Sequence, residues 1–388
     1  MKCLSLFIIG AMCACALLSA DVSRAQTVGE LKQLLLSDPN SYAGHYELGV
    51  RYTLDKMYDS ALAEYQTAIE IYPRYSLAHH AIYCTEILKD PSLLSDFAKE
   101  SLPPERGRKV TEIKEHNNIA FYADPFFDQS MAGLFVKAEV FYKPVDNKLY
   151  ENFGIKVYRR LDGINRFFHG DFAYAIDDLT LLIQDYPFFT QAYYFRGLAY
   201  ARIGFYAEAI ADFQHIIDKM DEYNKTKIVP VYLNSAHLYY MIGYSYLQLQ
   251  RFYPAEGAFK SALEQDLGLF MAQFQLCLVD CMKGSFNPAI EKLNAAIAIK
   301  PDDPILHYDK GSLLIRQARF QEAAAEIKIA LSMSPRYAPL YLNLARAYEK
   351  MDSTSAAIEQ FRKYIQMAST RDSTDIREAR SSINRLSK

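Results

Sequence analysis

The sequence predicts an all-α fold, an α-solenoid of stacked antiparallel helix pairs, and three observations predict it. Residues of one kind recur every 34 positions, apolar residues within each period fall into two runs with helical spacing, and prolines and capping residues punctuate those runs at a constant phase. A step of 34 from Ala255 reaches Ala289, Ala323 and Ala357; from Gly243 it reaches Cys277, Gly311 and Ala345; from Phe259 it reaches Leu293, Ile327 and Phe361. Upstream, Gly163 leads to Gly197, Ala175 to Ala209 and Phe172 to Tyr206, while Pro39 leads to Pro73 as Pro301 leads to Pro335. Small residues thus recur at two phases and bulky ones at a third. Short side chains where two helices cross let the backbones approach, and bulky ones fill the space around that contact.

The elements follow in order. Residues 1–25 read as an export signal: Lys2 gives the positive start, Leu4 to Ala20 is apolar, and Ser23-Arg24-Ala25 supplies the small residues of a cleavage site, so the mature chain begins at Gln26. Two other readings stand beside it. One is an uncleaved membrane anchor, although the run is at the short end for a bilayer span of roughly 20 residues. The other is a lipoprotein on Cys15, although Met12-Cys13-Ala14 departs from the usual Leu-rich lipobox.

Residues 26–104 hold a half repeat, one good repeat at 42–75 and a degenerate one. Thr27-Val28-Gly29-Glu30 has capping-box spacing and opens a short helix with Leu31, Leu34 and Leu35. In 42–75 the first helix carries Tyr46, Leu48, Gly49 and Tyr52, Lys56 to Tyr58 is a polar break, and the second helix carries Ala61, Tyr65 and Ala68 before Pro73 closes it. Ser76 to Lys89 continues as a first helix whose partner after Asp90-Pro91 is degenerate. Residues 105–155 lack the pattern, being either worn repeats or an inserted helical linker, with helices expected over Val110–Tyr122 and Phe126–Phe141.

Residues 156–371 form the main array, with periods at 156–189, 190–223, 236–269, 270–303, 304–337 and 338–371. An insertion from Asn224 to Ser235 stretches the step from Gly197 to Gly243 to 46. Asp303-Pro304 reads as an N-cap followed by proline in the first turn, and Thr190 reads as a cap after Pro187. Residues 372–388 supply a capping helix.

Leu48-Gly49, Tyr52, Ala61, Tyr65, Ala68 and Pro73 resemble the tetratricopeptide repeat signature, with His45 where that family often has Trp. Tyr239, Gly243, Tyr246, Ala255, Phe259 and Ala262 resemble it again, as do Gly197, Tyr200, Ala209 and Phe213. The resemblance implies a right-handed superhelix whose concave face is lined by the first helix of each repeat, and it implies protein or peptide partners.

Composition agrees with a binding protein. The 388 residues are 51% hydrophobic and 23% charged, which suits a folded chain, and a formal net charge of −3 without a basic stripe gives no reason to expect nucleic acid. Three of the six cysteines lie in the signal; Cys84, Cys277 and Cys281 read as core thiols and make no disulfide framework. The mature sequence has no phosphate-binding glycine loop, zinc motif, CxxC pair or nucleophile elbow. No cofactor, metal or catalytic residue is assigned: His80 with Cys84 lacks a third ligand, His45 and His307 read as packing residues, and Asp177, Asp178, Asp302 and Asp303 read as solvated faces or caps.

The candidate site is the peptide groove on the first helices, at places two, five, six and nine: Tyr194, Phe195, Tyr240, Met241, Tyr244, Met271, Phe274 and Tyr308. Rings and Met give large, adaptable contact area for an extended or helical apolar peptide. The competing reading makes the same rings filler between neighbouring helices. The chaperone-tail binders of the family use Lys and Asn where this chain has Tyr240, Tyr244, Phe274 and Leu278, which argues against that ligand. The expectation is an exported scaffold or adaptor, periplasmic or extracellular, possible self-association included, with the membrane involved only through a retained signal or lipid anchor. The alternative is a sugar-binding protein or enzyme with a pocket between residues 105–155 and the array, where Tyr122, Phe126, Phe127, Phe141 and Tyr142 would stack on a sugar.

Overall fold

The computed structural model describes residues 27–96, 102–123, 162–168, 170–187, 189–226, 234–266, 268–370 and 372–387, and among these every regular element is helical. In chain order the helices are α1 (Val28–Ser37), α2 (Tyr42–Leu54), α3 (Tyr58–Ile71), α4 (Ser76–Lys89), α5 (Leu93–Asp96), α6 (Pro104–Ala123), α7 (Asp162–Phe168), α8 (Phe172–Asp185), α9 (Thr190–Arg202), α10 (Tyr206–Thr226), α11 (Ser235–Gln248), α12 (Phe252–Gln265), α13 (Phe270–Met282), α14 (Phe286–Ile299), α15 (Pro304–Arg316), α16 (Phe320–Met333), α17 (Ala338–Lys350), α18 (Thr354–Met367) and α19 (Ser373–Leu386). They fall into two units. Of the described residues, one holds those within 90–111 and 162–279, with hairpins α7–α8, α9–α10 and α11–α12; the other holds those within 27–89, 112–123 and 280–387, with hairpins α2–α3, α15–α16 and α17–α18.

Each hairpin is set by its turn. Lys56, Gly170, Gly204, Gln250, Gly284, Ala318 and Asp352 all have positive φ, at the same phase of the repeat. A left-handed residue there lets the helix end in a tight hydrogen-bonded stop, with the next amide reaching back five residues: Met57 N donates to the Tyr52 carbonyl, Arg251 N to Tyr246 and Ser353 N to Tyr348, at 2.8–2.9 Å. At the other end, the Thr27 capping box forms in full, the Ser41 hydroxyl accepts from Gly44 N, and Asp303 Oδ1 accepts from Ile305 N and Leu306 N ahead of Pro304.

The crossing within each hairpin is a glycine against a ring. A Cβ on Gly243 would stand 2.7 Å from Phe259 Cε1, on Gly197 2.7 Å from Phe213 Cε1, and on Gly49 2.5 Å from Tyr65 Cε1. Those three rings are completely or almost completely buried, as are Ala61, Ala209 and Ala255 beside them. In the repeat at 338–371, Ala345 and Phe361 hold these places and pack into one core with Leu342 and Tyr364.

Several expectations need correction. Thr190 does not cap α9: Phe189 is the N-cap residue, no side-chain cap bond forms, and Thr190 is the first residue of the helix, buried. The insertion is partly helix, because α10 runs 21 residues to Thr226 where other second helices have 14. The helix expected over Val110–Tyr122 begins earlier, at Pro104. Cys281 is half-buried, while Cys84 and Cys277 are core thiols as expected. The signal at 1–25, the helix at Phe126–Phe141 and residues 227–233 of the insertion lie outside the described residues.

Two outcomes test this construction. Gly243→Val should lower unfolding free energy by about 1–3 kcal/mol through overpacking against Phe259, read by urea denaturation; an unchanged midpoint would remove the crossing from the account. Ala318→Gly should raise stability by about 1 kcal/mol, because the φ of 58° there is strained for a side chain with a Cβ, and a loss instead would show that the methyl group contributes more than the strain costs.

Candidate functional site

The structure separates the eight proposed groove residues into two kinds. Phe195, Tyr240, Met241 and Met271 are sealed in the core, each 3% exposed or less, so they present nothing to a partner. Their reading as groove contacts is corrected. Tyr240 shows the cause: its ring meets Phe259 edge-on at 5.6 Å, and its hydroxyl accepts a hydrogen bond from Gln275 Nε2 at 3.0 Å, tying α11 to α13. Phe195 is likewise caught between Phe167 and Tyr194, at 5.6 and 5.7 Å. Tyr194, Tyr244, Phe274 and Tyr308 keep part of their surface open, and Leu278 at place nine of α13 is 36% exposed.

These residues do not all share a unit. Tyr194, Tyr244, Phe274 and Leu278 belong to the unit that ends at residue 279, whereas Tyr308 belongs to the other. Tyr308 packs edge-on to Tyr337 at 5.5 Å, and Tyr337 lies 6.1 Å from Tyr72 of the N-terminal repeat. Next to it, burial pushes Asp309 up to about 7; Arg74 pulls it back down and Asp303 adds to the rise. The last repeat's polar face is also engaged: Asn343 Nδ2 donates to Ser312 Oγ at 2.9 Å, Arg346 pairs with Glu378 at 2.9 Å, and Glu349 pairs with Arg385.

A second pattern escaped the sequence reading. Place four of a repeat ties its helix to the carbonyl of the proline six residues earlier. His45 Nε2 reaches Pro39 O at 3.2 Å, His79 Nε2 reaches Pro73 O at 2.8 Å, His307 Nε2 reaches Pro301 O at 3.2 Å, and the Tyr341 hydroxyl reaches Pro335 O at 2.9 Å. The signal was present as a His or Tyr six residues after a proline. His45 and His307 also meet carboxylates, Glu64 and Glu326, at 2.7 Å, so they are polar anchors as well as filler. Burial works against the charge on Glu326, yet Lys310 and His307 hold its carboxyl below the ordinary range.

His79 has a different neighbour. Its Nδ1 lies 2.8 Å from His116 Nδ1 on α6. Since His79 Nε2–H donates to Pro73, its Nδ1 must accept and His116 Nδ1–H must donate. Burial holds both rings down to about 4, and holds the wholly enclosed His80, 3.3 Å from Cys84 Sγ, to about 4 as well. Among the described residues no group of three or more His, Cys, Asp or Glu side chains converges to hold a metal ion. Of the rings proposed for a sugar site, Phe126, Phe127, Phe141 and Tyr142 lie outside the described residues, as does the side chain of Tyr122.

With this geometry in hand, the comparisons with known proteins bear on what the repeats are. One family profile described as tetratricopeptide repeat matches residues 163–224 and 308–381, and a second of the same description matches 236–267. The chain contains tetratricopeptide repeats. No curated protein matches it. Among solved structures it is similar to the C-terminal part of a tetratricopeptide repeat-containing protein from Cytophaga hutchinsonii, at 19% identity over 58% of this chain and 95% of that one with a TM-score of 0.46. It is also similar to YrrB, described as a tetratricopeptide repeat protein with an unusual peptide-binding site, at 17% identity over 52% of this chain and 97% of that one with a TM-score of 0.39. For MamA the figures are 19% identity, 44% and 93% coverage, and a TM-score of 0.38.

The buried imidazoles make the stability of the fold acid-sensitive. Each is neutral in the fold, so the unfolded chain binds more protons between pH 6.5 and about 4. Stability is therefore full above pH 6.5 and falls as the pH drops through that window, by at most roughly 3 kcal/mol per ring. Asp309, raised, acts with the opposite sign between pH 7 and 3.8. The unfolding free energy should decline from pH 6.5 to 4, and His79→Asn with His116→Asn should flatten that decline; an unaltered slope in the double variant would show that the pair does not titrate on unfolding.

Proposed function

We propose that the protein is an exported scaffold that holds an apolar peptide segment of a protein partner on the first helices of the 190–279 repeats. The tetratricopeptide repeats support a protein-interaction scaffold. The observation that carries the finer reading is what remains after packing has taken its share: Tyr194, Tyr244, Phe274 and Leu278, at places five and nine of successive first helices, keep open surface while Phe195, Tyr240, Met241 and Met271 are buried. Rings and a branched aliphatic side chain, held on rigid helices, bring contact area at small entropic cost. Their neutrality favours an apolar segment over a charged tail.

Export rests on the Lys2 start, the apolar run and Ser23-Arg24-Ala25, and it assigns the partner to the periplasm or the outside of the cell, within an envelope assembly or secretion complex. The retained-anchor reading differs only in attachment to the membrane. Among the described residues no helix is long and apolar enough to cross a bilayer.

The test pairs open with closed rings in the full chain, using capture of partners from envelope extracts followed by mass spectrometry. Tyr244→Ala with Phe274→Ala should reduce capture about tenfold or more and leave the melting temperature nearly unchanged. Tyr240→Ala should instead lower stability by about 3–5 kcal/mol. Full capture by the double variant would sink the proposed site, and a large loss of stability in it would reassign both rings to the core.

A further inference from the structure

Within the second unit the N-terminal repeat docks onto the C-terminal repeats. Asp38 Oδ2 accepts from Ser369 Oγ at 2.6 Å and from Thr370 Oγ1 at 3.2 Å, and Asn40 Nδ2 donates to the Gln366 carbonyl at 3.3 Å. The turn between α3 and α4, Tyr72-Pro73-Arg74-Tyr75, reaches farther in. Arg74 Nη2 bonds Asp303 Oδ2 at 3.1 Å with both side chains 13% exposed, and the Tyr72 ring joins those of Tyr337 and Tyr308. Tyr308 stands at place five of its helix, the place of the part-open Tyr194 and Phe274 in the other unit, and Asp309 follows it.

The contact is built like a ligand in a site. The Arg74 guanidinium bonds Asp303, and Asp309 and the Tyr72 and Tyr337 rings lie within its electrostatic reach. Arginine suits this better than lysine, because its planar fork loses less on desolvation and stacks on rings. The turn itself is held in shape by His79, which grips the Pro73 carbonyl. Away from this point the docking is polar: the Arg336–Glu70 pair at 3.2 Å is exposed, and exposed pairs hold weakly, while Asp38 is buried where it accepts from Ser369 and Thr370. The crossings inside the hairpins are by contrast fully dry. A dock of this composition can open without unfolding either side.

We propose that Asp303, Tyr308, Asp309 and Tyr337 form a second binding site, specific for an arginine set between aromatic side chains, and that the chain's own Tyr72-Pro73-Arg74-Tyr75 turn occupies it as an internal ligand, displaced by a partner segment of the same chemistry. This extends the scaffold reading to a second peptide class. The site's carboxylates select the cation, and its rings select the residues on either side. The internal turn sets a threshold, since a partner must outcompete a group already present at high effective concentration.

The probe is a fluorescein-labelled peptide of residues 68–79 added to the full chain, followed by anisotropy. The wild-type chain should bind it weakly, and Arg74→Ala should bind it at least tenfold more tightly because the internal competitor is weakened. Adding Asp303→Asn to Arg74→Ala should abolish that gain, and asparagine retains the N-cap of α15. A peptide carrying lysine in place of arginine should bind about tenfold more weakly. Arg74→Lys serves as a milder variant, with the same direction and a smaller gain, and circular dichroism checks that each chain is folded. No gain in either arginine variant, or a gain that survives Asp303→Asn, would overturn the proposal. Tyr244→Ala with Phe274→Ala should leave binding of this peptide unchanged, so failure here and failure of the apolar-peptide site are read separately.

Discussion

The contact on which the fold depends is an aromatic ring pressed onto a helix backbone that carries no Cβ. Gly49 under Tyr65, Gly197 under Phe213 and Gly243 under Phe259 bring two helices close enough that the ring covers the backbone of its partner and is itself lost to solvent. From this follow the alanines on the facing helix, which must also be small, and the left-handed residue in the turn, which sets the angle at which the second helix returns. Because the crossing takes up one side of each first helix, only the residues pointing away from it can remain open. The binding surface is what the crossing leaves over.

That dependence explains how much of the molecule was legible in the sequence. A ring that needs a glycine 16 residues earlier leaves an imprint that repeats with every hairpin, so the period, the hairpins and most helix ends could be read directly from Gly, Ala, Phe and Pro. The candidate site was half legible. Periodicity assigns Tyr194 and Tyr240 to the same place five, but it does not show that Gln275 of the following repeat closes over Tyr240 and leaves Tyr194 part-open. Burial at a given place is decided by the neighbouring repeat, and each neighbour differs. The caps show the same limit: Asp303 before a proline announced itself, whereas Thr190 stood one residue too far along to cap.

Contacts across long stretches of chain were not legible at all. Arg74 and Asp303 are 229 residues apart and share no period. The one trace of their relation is that Pro-Arg-Tyr occurs twice, at 73–75 and 335–337, and that both turns lie where the N-terminal and C-terminal repeats of the second unit meet. The proline carbonyls belong to the same class of feature. His79 spends one ring nitrogen on Pro73 and is left with the other to accept from His116, so a local anchor fixes the protonation pattern of a contact with a distant helix. Hydrogen bonding of this kind is specific in geometry and modest in strength, which suits contacts between repeats more than contacts within them.

The order in which the chain is made gives that arrangement a further consequence. The second unit joins residues 25–89 to residues 280–388, and the whole of the other unit's 124–279 segment lies between them in sequence. On a ribosome the N-terminal repeat emerges first and waits, its docking face uncovered, through the synthesis of roughly 190 further residues at about 5–20 residues per second. Most of the groups it will use there are polar, Asp38, Asn40, Glu70 and Arg74, with the Tyr72 ring as the aromatic exception. A repeat that used an apolar face for the same contact would spend those seconds exposing a surface prone to aggregate.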